Sequence, residues 1–116
     1  TTFEAPVALA EAVREGALEG KFVLIDCITV WLGNLMHHGI DHHPHVAALC
    51  DVVKAAKGRL VIVSNEVGQG IVPDNPMARR FRDIQGIANQ RLAAAADEVV
   101  FVTAGIPAVL KKSGTG

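Results

Sequence analysis

Three short apolar runs set the terms for this chain. Phe22-Val23-Leu24-Ile25 ends in Asp26, Leu60-Val61-Ile62-Val63 ends in Ser64, and Val99-Val100-Phe101-Val102 lies within Glu98 to Thr103. Each run is short and apolar at odd and even positions alike, the pattern of a strand buried on both faces of a parallel sheet. The intervening segments read as helices or loops. Pro6 is a good first helical residue and Val7, Leu9, Ala10 and Val13 follow, so a helix is predicted from about residue 6 to residue 16, with Gly16 and Gly20 as punctuation. Thr29 is placed to cap a short helix through Trp31, Leu32 and Leu35. The polar, His-rich stretch from Met36 to His45, with Gly39 and Pro44, reads as loop, and Val46 to Ala56 reads as helix closed by Lys54, Lys57 and Gly58.

The stretch from Asn65 to Asn75 is rich in Gly and Pro and reads as a second loop. Asn75-Pro76 then opens a long helix to about Ala96, because Pro76 drives Asn75 out of the helical region and Asn75 can cap the first turn. Apolar positions 77, 81, 84, 88, 92 and 95 keep its helical period. Helices alternating with strands imply right-handed crossovers and an α/β fold, a parallel sheet flanked by helices. Three strands make a thin sheet, which leaves an apolar face or edge uncovered. The chain also opens on Thr1-Thr2 with no initiator Met, so it reads as starting in mid-protein, and Lys111 to Gly116 reads as a frayed tail.

Composition removes several classes. The 116 residues suit one domain, and 50% hydrophobic with 20% charged residues is globular material. A net charge of −1 gives no basic field for nucleic acid or anionic lipid. Cys27 and Cys50 lack metal-type spacing and read as reduced thiols in an intracellular, cytoplasmic protein. No apolar run reaches the roughly 18 residues of a membrane span.

Four places carry candidate chemistry. Asp26 closes a strand at the carboxyl edge, where open parallel sheets bind ligands, and an acid there can orient a metal on nucleotide phosphates; a simple cap of the next turn stands level with that reading. Ser64-Asn65-Glu66-Val67-Gly68-Gln69-Gly70-Ile71-Val72-Pro73 leaves a strand at the same edge, so Glu66 joins Asp26 as a candidate Mg²⁺ ligand, against the reading of an ordinary strand-to-helix loop. On the long helix Arg79, Arg82, Asp83, Gly86, Asn89 and Gln90 share one broad face, with Arg79 and Asp83 spaced for an ion pair. Gly86 in mid-helix costs about 1 kcal/mol against Ala, so close approach of another element or a ligand is expected there. That face reads as a site rim or subunit interface, with Arg79 and Arg82 on the rim. The histidines at 37, 38, 42, 43 and 45 resemble a metal set, but without helical pairing or Cys partners a solvated loop is the favoured reading. Gly105 to Ser113 echoes a phosphate-binding loop and is rejected, since Leu110 replaces the second glycine and Pro107 intrudes.

Taken together, the stretches from Asp26 to Leu35, Asn65 to Pro73, Ala78 to Gly86 and Asn89 to Ala93 resemble the adenosylcobinamide kinase/adenosylcobinamide-phosphate guanylyltransferase family, from Thr1 to about Lys111. The resemblance implies a P-loop, RecA-like fold, here as an incomplete sheet in the C-terminal part of a single domain covering 1–116. It implies phosphorylation of adenosylcobinamide by ATP or GTP, transfer of GMP from GTP through a guanylylated histidine to give adenosylcobinamide-GDP, Mg²⁺ accompanying the nucleotide, and a homo-oligomer such as a trimer. Glu4, in Thr1-Thr2-Phe3-Glu4, and Asp26 match the family's acids near the nucleotide, while Asn65 and Glu66 match its loop. The family's phosphate loop and its histidine have no counterpart among these residues, so no catalytic residue is assigned here, the guanylylated His is expected upstream, and the chain alone is expected to be inactive. The competing readings are a non-catalytic oligomerising fragment and another P-loop phosphotransferase.

Overall fold

Helix stripes packed against one face of a small parallel sheet form the core in the computed structural model, which describes residues 8–65 and 75–112. The elements run α1 (Leu9–Leu18), β1 (Val23–Asp26), α2 (Ile28–His37), α3 (His42–Ala55), β2 (Leu60–Val63), α4 (Pro76–Ala95), β3 (Val99–Thr103) and β4 (Ile106–Lys111). The buried residues of α2 are Ile28, Trp31, Leu32 and Leu35, spaced at three, four and seven along one face. They meet Val46, Leu49, Cys50 and Val52 of α3 and Ile84, Ala88 and Leu92 of α4. Each buried Val, Leu or Ile among them contributes about 1.5–3 kcal/mol by leaving water.

β1 and β2 pair in parallel, with Val23 opposite Leu60 and Asp26 opposite Val63. Ile25 is buried, and Val23, Leu60 and Ile62 pack on the core from the same face. The strands were expected to be buried on both faces; instead Leu24 is 58% exposed and Val61 and Val63 lie on the open side. No described element covers that face, so the apolar pattern exceeds the burial available among the described residues. The strand starts are drawn together by two glycines. Gly20 takes a positive φ of 79°, and any side chain on Gly58 would collide with the backbone of Gly20 and Lys21.

Three further expectations change. First, the third strand does not extend the parallel sheet. β3 pairs antiparallel with β4, across a two-residue turn in which Ala104 and Gly105 both have positive φ. That is the turn geometry which matches strand twist, and it makes a local pairing that needs no long loop closure. Most of the rejected stretch from Gly105 to Ser113 is therefore strand, with Lys111 part of it rather than of a frayed tail, while Ser113 lies outside the described residues. Second, residues 36–45 are mostly helical. α2 ends at His37, and the turn after it is closed by Gly39, whose φ is 65°, with Gly39 N–H donating to Met36 O at 3.1 Å and Ile40 N–H to Leu35 O at 2.9 Å. Asp41 then caps α3 by accepting from His43 N–H at 3.1 Å. Third, Thr29 does not cap α2; the capping position is Cys27, without a side-chain bond.

The start of α4 follows the sequence closely. Asn75 Oδ1 accepts from Met77 N–H at 2.8 Å and Pro76 occupies the first helical position. Met77, expected on the apolar stripe, is 66% exposed, because the packing begins one turn later at Phe81. No described helix is long and apolar enough to cross a membrane.

Candidate functional site at the carboxyl edge of the parallel sheet

The parallel register fixes the site. Because Asp26 stands opposite Val63, the chain leaves β1 and β2 at the same edge, and Asp26 is exposed there. Ser64 and Asn65 continue from β2 beyond that edge. Asn65 N–H donates to Thr29 Oγ1 at 3.2 Å, which ties the exit of β2 to the first turn of α2 behind Asp26. The hydroxyl expected to cap a helix thus anchors the second strand's loop.

A polar cluster from α4 holds the other side of the same exit. Gln85 is fully buried, and its Nε2 donates to Ser64 Oγ at 2.7 Å and to Asn89 Oδ1 at 3.2 Å. Ser64 Oγ donates to Asn89 Oδ1 at 2.6 Å, and Asn89 Nδ2 donates to Asn65 O at 3.1 Å. Ser64 and Asn65, themselves exposed, are therefore gripped by a set of side-chain bonds anchored on the buried Gln85, whose burial makes its bonds costly to break. Gln85 Oε1 is buried without a partner among the described residues.

The predicted site residues separate into three groups. Asp26 and Asn65 share the carboxyl edge. Arg79 is half-buried in the first turns of α4, and Arg82, with 28% side-chain exposure, lies 3.4 Å from Asp83, which takes this ion pair from its sequence neighbour. Glu4 and Glu66 lie outside the described residues. The polar face assigned to α4 is not uniform, since Asn89 turns to β2 while Gln90 is exposed. Gly86 is not held by a close neighbour: a side chain there meets no described atom within 4 Å.

Gln85 was not singled out from sequence. The available signal was position: a polar residue set between Ile84 and Ala88 on an apolar stripe must find a buried partner. Ser64 had no comparable signal, because a strand-end hydroxyl is ordinary. The free thiols follow their surroundings; burial pushes the Cys50 thiol up, outweighing the opposing pull of Arg91 and Lys54. Burial also lowers the pKa of His42, with the neighbouring His43 acting in the same direction.

Comparison with known proteins bears on what this edge does. The family model for cobinamide kinase / cobinamide phosphate guanyltransferase matches residues 1–110. A bifunctional adenosylcobalamin biosynthesis protein CobP of Pseudomonas aeruginosa is 38% identical over 114 residues, covering 95% of this chain and 65% of the relative. The CobU protein of Salmonella typhimurium is 41% identical over 106 residues, covering 77% of this chain and 58% of the relative. That of Escherichia coli is 36% identical over 118 residues, covering 89% and 65%. The chain thus spans less than two thirds of the length of the curated relatives it matches.

Proposed function

We propose, because this chain belongs to the cobinamide kinase/cobinamide phosphate guanyltransferase family, that its protein is a transferase of adenosylcobalamin biosynthesis. It phosphorylates adenosylcobinamide with ATP or GTP and then transfers GMP from GTP to that phosphate, giving adenosylcobinamide-GDP. The observation that carries this reading is the carboxyl edge of the parallel sheet, with exposed Asp26 beside the anchored exit of β2. Nucleotides bind beyond such edges in open α/β sheets.

In this reading Asp26 and Glu4 face the nucleotide, Asn65 and Glu66 line the loop beside it, and Arg79 and Arg82 form the rim. Asp26 is an exposed, hard oxygen donor, which suits Mg²⁺, and Glu66 is the second proposed ligand. Mg²⁺ accompanying the nucleotide would supply neutralisation of phosphate charge. The chain contains no Gly-x-x-x-x-Gly-Lys-Ser/Thr stretch, so the phosphate cradle and the guanylylated histidine are proposed to come from residues beyond these 116. A homo-oligomer is part of this reading, and the exposed apolar side chains Leu24, Val100, Val102 and Leu110 offer surface for it; a cytoplasmic location is proposed with it.

The test uses the intact gene product with cobinamide and GTP labelled at the α-phosphate. The expected outcome is label on the protein, then cobinamide-GDP, with both products lowered about 100-fold or more by Asp26→Asn. If neither product forms, the reading fails; if both form unchanged in Asp26→Asn, the site assignment fails alone.

A further inference from the structure

We propose that Asp41, His42 and His43 form a binding site for one divalent transition-metal ion of the zinc class, at the start of α3. The proposal does not depend on the transferase reading. One donor atom from each residue lies within 4.8 Å of those of the other two. His42 and His43 lie side by side, ring centroids 4.0 Å apart and planes tilted by 37°. Zn–N bonds of about 2.0–2.1 Å set tetrahedral donors about 3.3 Å apart, so the side chains must close slightly around an ion. Asp41 and His43 are exposed, so the His43 ring and the second Asp41 oxygen have room to make that adjustment. One Asp41 oxygen accepts from His43 N–H as the helix cap, and Arg91 Nη1 donates to His43 O at 3.4 Å, which holds the His43 backbone.

A second observation points to a ligand. His42 Nε2 is shielded from solvent and has no hydrogen-bond partner among the described residues. A buried imidazole nitrogen left so is costly, and a metal ion would satisfy it. Two imidazoles and one carboxylate select zinc, cobalt or nickel over magnesium and leave a coordination position open to the cleft that these residues share with Arg80, Met36 and Ile84.

Charge argues for moderate affinity. Arg80 and Arg91 act on His42 as nearby positive groups, and the start of α3 is the positive end of its dipole; Asp41 opposes them. The open position beside Arg80 is therefore suited to an anionic fourth ligand. His37 and His38 are exposed and His45 is half-buried, and none of them belongs to the cluster.

The test is titration of the intact, tag-free protein with Co²⁺, read as d–d absorption and confirmed by bound-metal content. One equivalent should bind. His43→Ala and His42→Ala should each weaken binding about 100-fold, and Asp41→Asn, which keeps a capping side chain, about tenfold or more. The triple change His37→Ala, His38→Ala and His45→Ala should leave the spectrum unaltered. Absence of a cobalt spectrum in the unaltered protein overturns the proposal. So does its loss in the triple variant, or its persistence in His43→Ala, an exposed site where folding is not at stake.

Discussion

The two strand pairs of this molecule are held together by different things. β1 and β2 are far apart in sequence and pair in parallel; one face is pressed onto the helices through Ile25, Val23, Leu60 and Ile62. β3 and β4 are neighbours, pair antiparallel across a two-residue turn, and β4 is exposed along its whole length. The parallel pair depends on the core and on the glycines at its entry. The hairpin depends on its turn and on Lys111 Nζ, which donates to Ala93 O at 3.0 Å and Ala94 O at 3.2 Å at the end of α4. An apolar run in sequence is thus equally compatible with a structural strand and a surface one; what separates them is whether helices close over it.

Three measurements test that contrast. The largest effect is expected in the layer beneath the parallel pair: Leu35→Ala, at a fully buried site, should lower unfolding free energy by about 2–5 kcal/mol. Leu110→Ala on the hairpin, where the side chain is 66% exposed, should stay within about 0.5 kcal/mol. Urea unfolding of the two variants decides it, and equal losses would erase the distinction.

A smaller effect is expected at the polar clamp. Gln85→Ala should cost about 1–3 kcal/mol and should raise amide exchange at Asn65, whose carbonyl is held through Asn89. Unchanged exchange at Asn65 would mean that the exit of β2 is fixed without α4.

The smallest effect is a pH dependence at the start of α3. His42 has its folded pKa lowered from 6.5, chiefly by burial and then by His43, with Arg80 and Arg91 adding to the shift and Asp41 opposing it. The unfolded chain therefore binds the proton more readily, and stability is lost as pH falls from 6.5 toward the lower folded value. Urea midpoints measured with a chelator present should fall across that window, and His42→Gln should flatten the curve.

Much of the site's position was legible. Asp26 closes an apolar run and Asn65 follows another, and their meeting at one edge follows once the strands are parallel. Asn75-Pro76 identified the start of α4 because capping is a local property. The reading of 36–45 failed for the converse reason. Its histidines and Pro44 look loop-like, yet Pro44 falls in the first turn of α3, where a missing N–H removes no helical bond, and Asp41 caps the turn.

By itself, the sequence determined the α/β class, the α2 stripe, the start of α4, the acid at the end of β1 and the family. Those rest on period, capping and motif, which are properties of neighbouring residues. Only the tertiary structure decided which strands pair, that Gln85 is buried against Ser64 and Asn89, and that Thr29 holds Asn65. Each of these joins residues remote along the chain, and such contacts exist only once the helices have packed.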